Sequence, residues 1–302
     1  MKDASRTGNR VVVRPVGGLG NQLFIYAAGL DLARRNGAEL VVDNSWFSTQ
    51  EKRAYELDSF ASSAAQEVGS WRPSAQDRFP RTARYLDKVL GKRVQIPGTF
   101  GEANFSHNAS IVGLKLPVSL SGYFQSYKYF QESESVLRSE MRSILNPTEW
   151  FSATNDKLNS LGGWIGVHIR RGDYLEPGIK EFHGVLGATY YDRALRIARD
   201  LVGNLPIVVF SDDPIAIQSL QVDLQSDVHA ISAPDYSRPI ETLNIMASSR
   251  AMITANSSFS WWGAWLGEQP NRPVICPRPW FATKTIDYRD LLLPQWISIG
   301  RE

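Results

Sequence analysis

The sequence predicts an α/β protein made of two doubly wound halves, and three observations lead there. Residues 11–42 read as strand, glycine-rich loop, helix and strand, the building block of a parallel sheet. Residues 164–276 alternate short β-branched runs with amphipathic stretches, the pattern of a second such sheet. Residues 147–163 are the expected border, which gives an N-terminal domain over 1–155 and a C-terminal domain over 156–302. A chain of 302 residues suits two domains of ordinary size.

Each element has its own reason. Val11-Val12-Val13 is β-branched and ends at Pro15, as a buried strand does. Gly17-Gly18-Leu19-Gly20 follows as a loop. Leu23, Phe24, Ala27, Leu30 and Ala33 then share one face of a helix that begins near Asn21. Asn36-Gly37 stops it, since both residues tolerate left-handed dihedrals, and 40–42 forms the next strand. Prolines, glycines and charges break every period between 48 and 122, and no elements are assigned there. A helix over 130–145 ends at Asn146-Pro147. In the second half, strands are expected at 164–169, 207–210, 228–231, 251–254 and 274–276. Helices are expected at 190–201, from Pro214, over 241–249, and after Asn256-Ser257-Ser258.

Composition narrows the function. Hydrophobic residues make 43% of the chain and charged residues 21%, enough apolar material for packed cores. Lys and Arg total 33 against 31 Asp and Glu, so the net charge is +2 and binding of nucleic acid by bulk charge is not expected. Cys276 is the single cysteine, which excludes an intramolecular disulfide and a cysteine-cluster metal site. No apolar run reaches the roughly 18 residues of a membrane span, and residues 1–10 lack the apolar core of a signal peptide. The expected location is the cytoplasm, with peripheral association at the inner membrane face left open.

Sheets of this type bind ligands beyond the carboxyl ends of their strands, so the chemistry is sought in the loops that follow them. His168-Ile169-Arg170-Arg171-Gly172-Asp173-Tyr174 ends one strand. Two adjacent guanidinium forks suit phosphate oxygens, and Asp173 either orients an arginine or serves as a base. An ion pair of Arg170 or Arg171 with Asp173 is the plainer alternative. Alternation along a strand sends the two arginines to opposite sides, so one of them is expected to be structural. Asn256, Ser257 and Ser258 open a helix, where free N–H groups make an anion site; simple capping, with Trp261 and Trp262 as core, is the plainer alternative. Gly17 to Gln22 lacks the lysine of a P-loop and the spacing of a dinucleotide fingerprint. It forms either a close-approach loop with Asn21 and Gln22 as neutral partners or a tight turn. Asp212 and Asp213 at a strand end serve a divalent ion, ribose hydroxyls or the cap of the next helix. Glu241 has the same capping alternative. No His/Cys cluster, Asp-x-Asp motif or nucleophile elbow is present, so no metal is expected.

Taken in order, Gly17 to Phe24, Gly122-Tyr123-Phe124-Gln125-Ser126, His168 to Tyr174, Phe210-Ser211-Asp212-Asp213 and Asn256 to Trp265 resemble glycosyltransferase family 11, the α-1,2-fucosyltransferases. The resemblance implies a GT-B-like fold, two Rossmann-like domains with a cleft between them. It implies GDP-fucose as donor, transfer of L-fucose with inversion to the 2-hydroxyl of a terminal β-galactoside glycan, and no metal or other cofactor. Carried over by motif, Arg170 holds the donor pyrophosphate, with Arg171 beside it, and His168 lies near the guanosine. Ser257 and Ser258 help bind phosphate at the helix start, Asn256 is among the donor-binding residues, and Asp212, Asp213 and Glu241 lie near the nucleoside. Gly18, Asn21 and Gln22 reach the cleft from the N-terminal half. Asp173 is the candidate base, although the neighbouring arginines hold it ionised and weakly basic. Two alternatives stand beside this reading: the same scaffold with another donor or linkage, and a catalytically silent sugar- or nucleotide-binding protein.

Overall fold

The computed structural model describes residues 8–79, 82, 96–102, 104–171, 179–213, 228–231, 238–283 and 286–302. The chain forms two compact units, one of residues 1–140 with 287–292 and one of 141–286 with 293–302. Among the described residues each contains one wholly parallel sheet, so the expected class, two doubly wound α/β units, is the one found.

Unit 1 runs β1 (Arg10–Val13), α1 (Leu19–Arg35), β2 (Glu39–Val42), β3 (Ala65–Gln66), α2 (Ala75–Arg78), β4 (Thr99–Gly101), β5 (Val118–Ser121) and the first residues of α3 (Glu134–Arg142). The sheet order is β3-β2-β1-β5-β4. Winding therefore reverses between β1 and β5, and Val11 to Val13 pair with Val118 to Leu120 across that junction. Helix α1 begins at Leu19, inside the glycine run rather than at Asn21. Gly17 at φ +75° supplies the left-handed turn out of β1, and extended Gly18 is the N-cap. The helix stops at Asn36, as expected, and the Asn36 side chain closes on the Leu32 carbonyl. Residues 287–292 join this unit through Asp290, which accepts from Lys128 Nζ at 2.5 Å and from the His107 N–H at 3.0 Å.

Unit 2 runs α4 (Glu149–Asn159), β6 (Ile165–Ile169), α5 (Ile179–His183), α6 (Ala188–Val202), β7 (Ile207–Ser211), β8 (Val228–Ile231), α7 (Pro239–Ala247), β9 (Ala251–Ile253), α8 (Ser258–Leu266), β10 (Val274–Arg278) and β11 (Ile297–Gly300). Its order is β11-β10-β9-β6-β7-β8, so winding reverses between β6 and β9. The border read at 155/156 falls inside α4. Thr148 N-caps that helix by accepting from the Phe151 N–H, so Asn146-Pro147 ends one helix only for the next to start. Ile165, Val167, Tyr190, Ala194, Ile207 and Ile253 belong to the apolar core under the sheet. Helix α8 is buried almost all round, and Trp261, Trp262 and Trp265 are at most 2% exposed. It packs on α7 so closely that a Cβ at Gly263 would lie 2.7 Å from the Met246 sulfur.

Candidate functional site

In unit 2 the carboxyl ends of β6 and β9 lie side by side at the winding reversal, where open α/β sheets place their ligands. Val167 pairs with Ile253, so His168-Ile169-Arg170 and Thr254-Ala255-Asn256 leave the sheet together. Consecutive tyrosines of α6 fix both ends from below. Tyr190 donates to the Thr254 carbonyl at 2.7 Å, and Tyr191 donates to the His168 carbonyl at 3.2 Å. The His168 ring meets Phe259, in the first turn of α8, at 5.9 Å between centroids. The arginine motif and the helix start are therefore one site.

Arg170 points to this end of the sheet and pairs with Asp212 Oδ2 at 2.7 Å; both side chains are 22% exposed. The other oxygen of Asp212 accepts the Arg171 N–H at 3.1 Å. One carboxylate at the end of β7 thus orients the guanidinium and holds the backbone behind it. The ion-pair partner expected within the motif, Asp173, lies outside the described residues. Asp213 closes a turn on Ser211: its N–H donates to Ser211 Oγ, which donates to the Asp213 carbonyl. The helix expected from Pro214 also lies outside the described residues.

His168 is 2% exposed. Burial, reinforced by the Arg170 charge, pushes its pKa down to about 3, so the imidazole is neutral at pH 7. Among the described residues its Nδ1 is buried with no hydrogen-bond partner. An unmet buried polar atom costs on the order of 1–3 kcal/mol, and such atoms gather where a ligand completes them.

Ser257 is the N-cap of α8 and accepts from the Phe259 N–H at 3.3 Å. Ser258 is half-buried and opens the helix. The first-turn N–H groups and the helix dipole favour an anion here. Asn256 serves the scaffold, donating to the His183 carbonyl at 2.7 Å and the Gly184 carbonyl at 3.3 Å. The capping reading and the anion reading of this stretch are therefore compatible, and the tryptophans are core.

Glu241 is bound within the scaffold. It is 1% exposed, and its carboxylate accepts from Thr148 N–H at 2.9 Å and Thr148 Oγ1 at 2.6 Å, with Arg238 at 3.2 Å. Both oxygens are used to brace the start of α7 against the start of α4, because a buried carboxylate must satisfy every lone pair it can. Gln22 in unit 1 is engaged in the same way. It is fully buried, donates to the Gly17 and Ala54 carbonyls at 2.9 and 2.8 Å, and accepts the Glu56 N–H at 3.0 Å. Its amide is saturated by backbone and does not reach outward. Asn21 and Gly18 are half-buried, and Asn21 Oδ1 accepts from Gln125 Nε2 at 2.9 Å.

Sequence reasoning missed Tyr190 and Tyr191, whose helical spacing reads as plain core, and the pairing of Arg170 with Asp212, which depends on the β6–β7 register. No group of three His, Cys, Asp or Glu side chains able to hold a metal occurs among the described residues. Among them, too, no helix is long and apolar enough to cross a membrane.

A family model described as "Glycosyl transferase family 11" matches residues 105–300. The O-antigen biosynthesis glycosyltransferase WbnK of Escherichia coli is 30% identical over 94% of this chain and 98% of its own length. An alpha-1,2-colitosyltransferase of Escherichia coli is 27% identical over 96% of this chain and 99% of its own. A galactoside 2-alpha-L-fucosyltransferase of Caenorhabditis elegans is 28% identical over 94% of this chain and 77% of its own. Among solved structures, the fucosyltransferase NodZ from Bradyrhizobium has the same fold, with a TM-score of 0.52 at 16% identity over 84% of this chain and 91% of that one.

Proposed function

The chain belongs to glycosyltransferase family 11, and on that premise we propose that it transfers L-fucose from GDP-fucose, with inversion, to the 2-hydroxyl of a terminal β-galactoside. The observation that carries the reading is the shared winding reversal in unit 2. Arg170, oriented by Asp212, and the start of α8 meet there around neutral His168. That is a permanently charged fork beside a helix N-terminus, the arrangement that suits a diphosphate.

The acceptor oxygen attacks C1 of fucose as the bond from C1 to the β-phosphate oxygen breaks, and GDP leaves with the electron pair. The acceptor proton passes to a base, for which Asp173 is our candidate. Negative charge grows on the leaving β-phosphate. Arg170 and the first-turn N–H groups of α8 stabilise it without needing a metal, and such preorganised charge is often the largest catalytic contribution. Neutral His168 offers Nδ1 to the donor at no charge cost. Unit 1 supplies the acceptor side.

The test is incubation with GDP-fucose and a panel of β-galactosides in EDTA. Release of GDP that depends on a galactoside is the expected result. Full dependence on added magnesium or manganese would overturn the metal-free reading. Absence of GDP release with every sugar would overturn the transfer. The relative named for colitosyl transfer supports a second donor as the runner-up, so other GDP-linked deoxy sugars belong in the same panel.

A further inference from the structure

The winding reversal of unit 1, between β1 and β5, carries a second constellation. The turn at Gly17-Gly18 leaves β1 there and is tied to two neighbouring segments. Asn21 binds Gln125, just beyond β5. Gln22 binds Gly17, Ala54 and Glu56 by three backbone hydrogen bonds and so sews the chain beyond β2 to the glycine turn. The residue next to that seam is Arg53. It is exposed, and its Nη1 lies 3.6 Å from where a Cβ on Gly18 would stand. The same segment holds an aromatic chain, with Trp46 edge-on to Phe47 at 5.0 Å and Phe47 against Tyr55 at 5.6 Å, all half-buried. A buried amide paired with backbone of both the glycine turn and residues 54–56 fixes these two segments to each other, and here it holds a guanidinium over the ligand edge of the sheet.

We propose that Gln22 is a positioning residue and Arg53 the contact residue of the acceptor subsite: Gln22 pins residues 54–56 so that the Arg53 fork, standing over Gly18, takes neighbouring hydroxyls of the acceptor sugar. The inference rests on the transfer reading above and adds to it the part of unit 1 that reads the acceptor. Paired N–H donors in one plane match two vicinal oxygens of a pyranose, and half-buried aromatic rings in the same segment suit its C–H faces.

Binding of a β-galactoside disaccharide to the protein saturated with GDP tests it, with acceptor KM and the Kd for GDP measured alongside. Arg53→Ala is expected to weaken acceptor binding and raise acceptor KM about tenfold or more, the loss of one charge-assisted contact, with GDP affinity unchanged. Arg53→Lys restores only part, because the ammonium lacks the fork. Gln22→Met keeps length and volume and removes all three hydrogen bonds. It is expected to raise acceptor KM in the same direction and to speed amide exchange at residues 54–56. Arg53 is exposed, so Arg53→Ala decides the matter if Gln22→Met does not fold. Acceptor binding within twofold of wild type in Arg53→Ala, or a parallel loss of GDP affinity, would overturn the inference. Wild-type acceptor binding that Arg53→Ala weakens, with no transfer, would fault the transfer reading alone; transfer with unweakened binding in Arg53→Ala would fault this inference alone.

Discussion

Asp212 determines what Arg170 is able to do. Without it, a long cationic side chain at a strand end samples many rotamers; with it, the guanidinium is held at the carboxyl end of β6, between the ends of β6 and β7. Arg170→Ala is expected to lower turnover by on the order of 10²–10³-fold, the cost of losing one preorganised donor to the leaving group. The melting temperature is expected to stay close to wild type, because a partly exposed pair adds little stability. Near-normal turnover in the folded variant would contradict the assignment. His168 gives a second residue-scale expectation. Its folded pKa, about 3, lies below the ordinary 6.5, so the unfolded chain binds the proton more readily. Its contribution to stability is therefore complete above pH 6.5 and is lost as the pH falls toward 3. Urea unfolding across that range should show a steeper loss for wild type than for His168→Gln; parallel curves would contradict it. The roles of Gln22 and Glu241 were not legible at this scale. A polar residue at a ligand edge and one that saturates distant backbone groups look alike in sequence, because the partners of Gln22 at Ala54 and Glu56, and that of Glu241 at Thr148, are long-range.

Arg272 performs at the scale of elements what capping residues do locally. Its guanidinium donates to the Ser249, Ala264 and Met246 carbonyls and to Ser249 Oγ, at 2.7–3.0 Å. It thus satisfies the carboxyl ends of α7 and α8, which lean on each other at Gly263, and places positive charge where both helix dipoles are negative. Arg272→Ala is expected to destabilise the protein by about 3 kcal/mol, with Arg272→Lys recovering little, as measured by urea unfolding. A loss below about 1 kcal/mol would show that solvent replaces the cap. The tryptophans of α8 were legible as core or site, and the helix start decided between them. Phe259 and the serines face the ligand edge, while Trp261, Trp262 and Trp265 are the packed side.

At the scale of the whole molecule, the strands with long β-branched runs were legible because burial on both faces leaves a continuous apolar signature. The elements between 48 and 122 were not. Strands β3, β4 and β5 have two, three and four residues, and their extended state comes from parallel neighbours rather than from their own pattern. Helix α4 was missed because its polar exposed side hides a weak apolar period, and β11 because it alternates between half-buried and exposed residues at a sheet edge. The return of residues 287–292 to unit 1 rests on Asp290 meeting Lys128 and His107, which no local pattern announces.

Linkage analysis of the purified product of GDP-fucose and a β-galactoside decides whether this chemistry is the one catalysed. An α-configured fucosyl group on O2 of the galactose, inverted relative to the donor and formed in EDTA, is the expected product. Fucose with the donor's own anomeric configuration, or attached at any other hydroxyl, would contradict it.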